Sequence, residues 1–94
     1  MAIQSLPISR LGVEEVYGFG SFFRGEAFHD IDLVLVVSPD VAGSVALFYE
    51  LKEKFDQLAA SLGAAFDLTV LTRKEFNERP LRDMDQLVRL YTQA

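Results

Sequence analysis

Two aspartates separated by a single residue are the first positions in this sequence that could do chemistry. Asp30 and Asp32 stand directly before an apolar run, Leu33 to Val37. Side chains alternate between the two faces of a strand, so both carboxylates lie on one face, with Cα atoms about 6.6 Å apart. Carboxylate oxygens are ligands that Mg²⁺ prefers. The pair therefore predicts a metal site at the mouth of a buried strand.

A third aspartate, Asp67, lies on a later predicted strand. The long helix predicted between the two strands is a crossover, and such a connection usually makes its strands parallel. Neighbouring strands are about 4.8 Å apart, so Asp67 should converge with Asp30 and Asp32 at one end of the sheet. Three carboxylates repel one another unless a cation neutralises them. Two Mg²⁺ ions about 3.5 to 4 Å apart would suit an in-line phosphoryl displacement, with Asp30 and Asp32 bridging the ions. Asp67 would complete the second ion site and help to deprotonate the attacking hydroxyl.

A glycine-rich turn precedes the acids. Gly18, Gly20 and Ser21 lie where a predicted strand enters a short helical turn. Glycine permits close approach of the backbone to a ligand, and free amides at a helix start favour phosphate. The Ser21 hydroxyl could donate a further hydrogen bond, and Arg24 lies one turn later. We predict that Gly20, Ser21 and Arg24 bind the phosphates of a nucleotide.

The remaining sequence supplies the elements that position these residues. The hydrophobic patterns predict strands over 13–19, 30–37 and 64–71, a long helix from Ser38-Pro39-Asp40 to about Leu62, a short helix opened by a Thr72–Glu75 capping box, and a last helix from Pro80 toward Thr92. The long helix has a predicted apolar stripe of Val41, Val45, Phe48, Leu51, Phe55, Leu58 and Leu62. The last helix carries a wide apolar arc, which predicts contact with another chain. We expect one α/β (α+β) domain over residues 1–94, with a small mixed sheet of about three strands flanked by helices.

Composition narrows the classes of function. The chain has 94 residues, no cysteine and one histidine, which excludes disulfides and cysteine- or histidine-rich zinc sites. Fourteen acidic residues against nine basic ones give a formal net charge of −5. That charge disfavours general binding to nucleic acid and favours cations or a metal-bound nucleotide. No signal peptide and no run of roughly 18 apolar residues is present, so we expect a cytoplasmic protein with no membrane partner.

The segment from Gly18 to Gly25, followed by Asp30 to Val34, resembles the minimal nucleotidyltransferases of the DNA polymerase β-like superfamily. The shared pattern is a strand, Gly-Ser, a spacer with Arg-Gly, Asp-x-Asp opening the next strand, and a later aspartate, here in Phe66-Asp67-Leu68. The resemblance implies Mg²⁺ dependence, with Mn²⁺ as a substitute, and transfer of a nucleoside monophosphate from a triphosphate, ATP, to an acceptor hydroxyl. It assigns Gly20 and Ser21 to the triphosphate and the three aspartates to metal.

The same resemblance implies a partner. Larger relatives carry an extra domain that selects base and acceptor, so specificity here is expected from a partner chain or a homo-oligomer. Small family members are often paired with a HEPN-domain protein, as antitoxins that adenylylate their toxin. Two alternatives stay open: an inert module that binds nucleotide and metal and acts by protein contact, and a structural subunit whose acids merely end a strand.

Overall fold

The structure, a computed structural model, describes residues 3, 8, 11–27, 30–41, 43–78 and 87–92. Its elements are β1 (Val13–Phe19), a short 3₁₀ helix (Ser21–Arg24), β2 (Asp30–Val37), α1 (Val45–Leu62), β3 (Ala65–Thr72), α2 (Arg73–Glu78) and β4 (Val88–Thr92). The four strands form one sheet in the order β3-β2-β1-β4. The predicted mixed sheet flanked by helices is confirmed, with one strand more than expected.

The sheet is mixed because its connections differ. β1 and β2 are joined by a short segment and run antiparallel, with Phe19 opposite Asp32. β2 and β3 are joined through α1 and run parallel over eight residue pairs, from Asp30 opposite Ala65 to Val37 opposite Thr72. A helical crossover returns the chain to the same end of the sheet, which is why this pair is parallel. The predicted parallel pairing is confirmed.

The long helix begins later than predicted. Residues 38–41 form turns, in which Ser38 Oγ accepts a hydrogen bond from the backbone N–H of Asp40 at 3.3 Å. Gly43 has φ of +84°, which no regular helix contains. Helix α1 therefore begins at Val45, and Ser44 is its N-cap, accepting a hydrogen bond from the backbone N–H of Leu47 at 3.1 Å. Gly63, with φ of +69°, ends the helix as predicted.

The apolar stripe of α1 is also narrower than predicted. The buried positions are spaced by four residues: Leu47, Leu51, Phe55 and Ala59. Val45, Phe48 and Leu62, which were expected to face the core, are 67%, 39% and 45% exposed. The helix packs against β3, the edge strand, where the rings of Phe55 and Phe66 lie 5.5 Å apart. The apolar arc of the helix extends beyond the strands that could cover it.

The predicted last helix is wrong where the structure describes it. Residues 88–92 form β4, which pairs antiparallel with β1 and places Val16 opposite Tyr91. Tyr91 is buried with the α1 side of the sheet, whereas Arg89 reaches Glu15 on the other face. The register shifts by one residue between Val16 and Tyr17, which is why Arg89 and Tyr91 lie on opposite faces although they are two residues apart. The edge of β1 that β2 leaves unpaired explains why this segment is a strand and not a helix. Residues 80–86 of the predicted helix, with its proposed chain contact, lie outside the described residues.

Two apolar clusters cover the two faces of the sheet. On one face, α1 packs on the odd-numbered residues of β2, including Leu33 and Leu35. On the other face, Val34 and Val36 pack with Phe76 of α2. Burying each such side chain contributes roughly 1.5 to 3 kcal/mol. Because α2 follows the far end of β3, it leaves the opposite end of this second face open. None of the helices in the described part of the chain has the length and hydrophobicity that a membrane crossing requires.

Candidate active site

The three aspartates lie at the starts of two neighbouring strands. Asp32 of β2 is directly opposite Asp67 of the parallel strand β3, and Asp30 is two residues before Asp32. Asp30, Asp32 and Val34 are alternate residues of β2, so their side chains lie on one face of the sheet, and Asp67 shares that face because it is opposite Asp32. This face is not the one that α1 covers. Asp30 and Asp67 are exposed, and Asp32 is half-buried. The backbone therefore brings all three to one end of one sheet face.

Burial of the rest of β2 explains why its acids are held in place. Residues 33–37 are fully buried, between α1 on one face and the cluster around Phe76 on the other. A strand anchored in this way cannot slip by one residue without moving its apolar side chains to the wrong face. The register that fixes the core also fixes the carboxylates at the open end.

Gly20 places the turn before the 3₁₀ helix against Asp32. Its φ is +83° and its ψ is −164°, a conformation that is essentially restricted to glycine. A Cβ atom at this position would collide with Oδ2 of Asp32. The carbonyl of Gly20 accepts hydrogen bonds from the backbone N–H groups of Phe23 and Arg24, at 3.1 and 3.2 Å, which close the 3₁₀ helix. Gly20 is thus required both by the turn and by the neighbouring carboxylate.

Gly18 is required for packing against Phe23 and not for contact with the acids, which the sequence did not predict. A Cβ atom at Gly18 would overlap the ring of Phe23. Phe22 and Phe23 pack against the α1-side cluster. The two rings meet edge to face, with centroids 4.9 Å apart. The absence of a side chain at Gly18 therefore lets the Phe23 ring of the short helix pack directly on β1.

Ser21 and Arg24, the other predicted phosphate ligands, lie side by side. Nη2 of Arg24 is 3.5 Å from Oγ of Ser21. Nε of Arg24 donates to Oε1 of Glu26 at 3.1 Å, and these two side chains are 40% and 58% exposed. Glu26, which the sequence did not single out, therefore holds the arginine of this turn. Its position two residues after Arg24 is the only sequence signal that could have indicated it.

The carboxylates are placed together but do not form a closed metal cage. Neither Asp30 nor Asp67 has an ion-pair partner among the described residues. In the same part of the chain, no three acidic or histidine side chains are grouped so that they could hold a metal ion. Mg²⁺ usually binds through one or two carboxylates and completes its shell with water and substrate phosphate. The donor set of Asp32 with Asp67 and Asp30 fits that chemistry, and a three-residue cage is not required for it.

Two clefts lined by described residues lie between α1 and β3. The first, of about 280 Å³, lies between the start of α1 and β3, with Val41, Val45, Phe48 and Val70 in its wall. A smaller one, of about 220 Å³, includes Asp67 together with Phe48 and Phe66. Neither of these two clefts includes Asp30 or Asp32.

The comparisons with known proteins agree with this arrangement. A model of the nucleotidyltransferase domain family matches residues 6–90. This chain belongs to that family. The predicted relationship to the polymerase β-like minimal nucleotidyltransferases is confirmed.

Two relatives extend the comparison. The protein adenylyltransferase MntA of Thermococcus cleftensis is 41% identical over 61 residues, which are 65% of this chain and 59% of that protein. A crystal structure of a candidate nucleotidyltransferase from Sulfolobus solfataricus superposes with a TM-score of 0.58 and 25% identity. It covers 94% of this chain and 68% of its own. This nucleotidyltransferase domain thus spans about three fifths of the length of the curated relative.

Proposed function

We propose that this nucleotidyltransferase domain transfers AMP from Mg²⁺-bound ATP to a hydroxyl group on a partner protein. The observation that carries the proposal is the direct register of Asp32 with Asp67 beside the Gly20 turn, in a chain of this family. The name of the Thermococcus relative, a protein adenylyltransferase, supports ATP as donor and a protein as acceptor.

The chain's own residues divide the reaction between them. The turn at Gly20, Ser21 and Arg24 holds the triphosphate and aligns its α-phosphorus. The acceptor oxygen forms a bond to that phosphorus while the bond to the bridging oxygen breaks, and pyrophosphate leaves with the electron pair. Asp67 takes the proton of the hydroxyl at its carboxylate, which water later removes. Asp30, Asp32 and Asp67 would hold one or two Mg²⁺ or Mn²⁺ ions, which neutralise charge on the triphosphate and the leaving group.

The partner and the biological role belong to the same proposal. A HEPN-domain protein is the proposed acceptor, and its modification would make this chain an antitoxin. A homo-oligomer is the alternative source of acceptor specificity. A cytoplasmic location and a single domain over residues 1–94 remain predictions.

A second function is favoured by one observation. Because no three acidic or histidine side chains in the described segments are grouped to hold a metal ion, the chain could bind nucleotide without transferring it. Such an inert module would act by protein contact alone.

Thermal denaturation with and without Mg²⁺ and ATP tests the first function. Saturation at 100 times the dissociation constant contributes about 2.7 kcal/mol, which for a domain of this size raises Tm by roughly 10 to 20 °C. Asp30→Asn and Asp32→Asn should remove the shift, whereas Asp56→Asn on the outer side of α1 should keep it. Absence of any shift with Mg²⁺ or Mn²⁺ would reject nucleotide binding altogether. A shift without transfer of label from α-labelled ATP to a co-expressed HEPN-domain protein would favour the inert module.

A further inference from the structure

The candidate active site has two sides. Asp32 lies between Phe19 of β1, which leads into the Gly20 turn, and Asp67 of β3. If the turn holds the triphosphate, as proposed above, the nucleotide occupies the β1 side of Asp32. The acceptor hydroxyl must then approach from the β3 side, where Asp67 can take its proton.

The β3 side is an open edge. β3 is the outermost strand of the described sheet, and its eight residues pair with β2 on one side only. An edge strand presents unpaired N–H and C=O groups, and proteins commonly protect such edges with proline, lysine, bulges or short strands. The sequence of β3, Ala-Phe-Asp-Leu-Thr-Val-Leu-Thr, has no proline, glycine or lysine and one charged residue, Asp67. The strand is therefore suited to accepting another strand.

An apolar surface of α1 lies beside this edge. Val45 and Tyr49 are 67% and 64% exposed, and Phe48 is 39% exposed. Together with Val70 of β3 these three residues contribute to the cleft of about 280 Å³ described above. Side chains of an added strand that point toward the α1 face would enter this cleft.

We propose that the edge of β3 binds an extended segment of the acceptor protein as a fifth strand. A residue opposite Asp67 in this strand has its Cβ about 4.5 to 5.5 Å from that of Asp67, on the face that carries the acids. Its two neighbours point to the other face, opposite Phe66 and Leu68 and beside Phe48. The next side chain of the added strand on that face lies opposite Val70, at the cleft that contains Val45. The favoured acceptor is therefore a hydroxyl residue between two apolar residues in a strand. Main-chain hydrogen bonds supply affinity, and the cleft supplies specificity.

The occupant is a substrate segment because the strand that is open is also the strand that carries Asp67. Pairing at this edge places a side chain next to the group proposed to accept the proton, which a purely structural contact would not need. A second copy of this chain paired through β3 is the competing occupant, and the experiments below distinguish it.

A capped nine-residue peptide with valine and serine alternating between terminal lysines is the probe. Transfer of label from α-labelled ATP to this peptide is expected, and a peptide with the same composition but clustered serines should be labelled about tenfold less. The N–H groups of serines and valines point to opposite edges of the extended peptide. N-methylation of the serine nitrogens alone blocks one edge and leaves the other free to pair with β3, so labelling should persist. N-methylation of every interior nitrogen removes pairing and should lower labelling on the order of tenfold or more. Equal labelling of the fully methylated peptide, or no labelling of the unmodified one, would overturn the proposal.

A matched pair of variants tests the cleft. Val45→Glu and Leu62→Glu each add one negative charge at an exposed apolar position of α1, but Leu62 lies at the far end of the helix. Val45→Glu should reduce peptide labelling about tenfold and Leu62→Glu should not, while both keep the Tm shift with Mg²⁺ and ATP. Loss of that shift in the unmodified protein would instead reject the proposed function. Light scattering that shows a dimer converted to a monomer by Val45→Glu would assign the edge to a second copy and overturn the inference.

Discussion

The carboxylates at the two ends of one face of the sheet have opposite surroundings. At the end covered by α2, Glu15 is 13% exposed and is surrounded by donors. It accepts from Arg73, from the hydroxyl of Tyr17 at 2.9 Å, and lies 3.6 Å from Nη1 of Arg89. At the open end, Asp30 and Asp67 have no ion-pair partner among the described residues.

This difference distinguishes a carboxylate that stabilises the fold, Glu15, from carboxylates whose counter-charge is expected to come from outside the chain. Glu15 joins β1, α2 and β4, and the chain itself provides its counter-charges. Asp67 lies opposite Asp32 and has no such group of its own among the described residues, although like charges directly opposite each other destabilise a sheet. An arrangement that costs stability at the start of a deeply buried strand is expected where an external cation supplies the missing charge.

The largest effect is expected from a substitution that separates the Gly20 turn from the acids. Gly20→Ala should lower nucleotidyl transfer on the order of 100-fold, because the new Cβ displaces the Asp32 carboxylate from its position. Gly43→Ala is the matched control: its φ is +84°, as against +83° for Gly20, but no atom lies within 4 Å of the added Cβ. Both variants share the strain of a positive φ, so only the loss of label transfer should differ. Equal transfer by the two variants would show that the contact with Asp32 is irrelevant to the reaction.

At the closed end, the expected effect is on folding and not on transfer. Glu15→Ala removes a nearly buried acceptor of several hydrogen bonds and should lower the free energy of unfolding by about 1 to 2 kcal/mol. Tm should fall by roughly 4 to 16 °C in thermal denaturation. Asp30→Ala at the open end should change the free energy by less than about 0.5 kcal/mol. If Asp30→Ala proved as destabilising as Glu15→Ala, the distinction between the two ends would fail.

A smaller effect of the opposite sign is expected at the open end. In the absence of metal, Asp67→Asn should raise the free energy of unfolding by about 0.2 to 1 kcal/mol, because it removes repulsion with Asp32. The gain should shrink in concentrated salt and disappear with Mg²⁺ and ATP, since both neutralise the repulsion. Asp56→Asn, which removes an ion pair with Lys52 at 3.2 Å, should show no gain. A loss of stability on Asp67→Asn without metal would mean that this carboxylate serves the fold.

The sequence could predict those parts of the molecule that depend on neighbours along the chain. Strands β1 to β3, the glycine at the end of α1 and the Thr72–Glu75 capping box are confirmed, because each depends on a pattern within a few residues. The parallel pairing of β2 with β3 followed from the presence of a crossover helix, although that helix begins later than predicted.

The features that could not be predicted from the sequence depend on contacts between distant segments. Arg73 pairs with Glu15, 58 residues away in sequence, and no local pattern indicates that contact. Residues 88–92 carry apolar side chains at spacings that a short helix or a strand could use, and the open edge of β1 decides between them. The exposed side of α1 could not be foreseen either, because it depends on the position of β3 at the sheet edge.

The smallest predicted effect concerns the capping box that joins β3 to α2. The backbone N–H of Thr72 donates to Oε1 of Glu75 at 2.9 Å, and the backbone N–H of Glu75 donates to Oγ1 of Thr72 at 3.2 Å. Hydrogen bonds from the Thr72 backbone first, and then from its hydroxyl, lower the pKa of Glu75 below its ordinary value of 4.5. The ionised carboxylate therefore stabilises the folded state at pH values above 4.5, and this contribution is lost as the pH falls through the lowered pKa.

Thermal denaturation between about pH 6 and pH 3 measures that contribution. The Tm advantage of the wild type over Glu75→Gln should narrow on acidification, because the amide keeps an acceptor but does not titrate. Thr72→Val removes the hydroxyl and keeps the backbone donor, which is the larger cause of the pKa shift. It should therefore retain most of the pH dependence. An advantage over Glu75→Gln that is constant with pH would show that the cap acts without its charge.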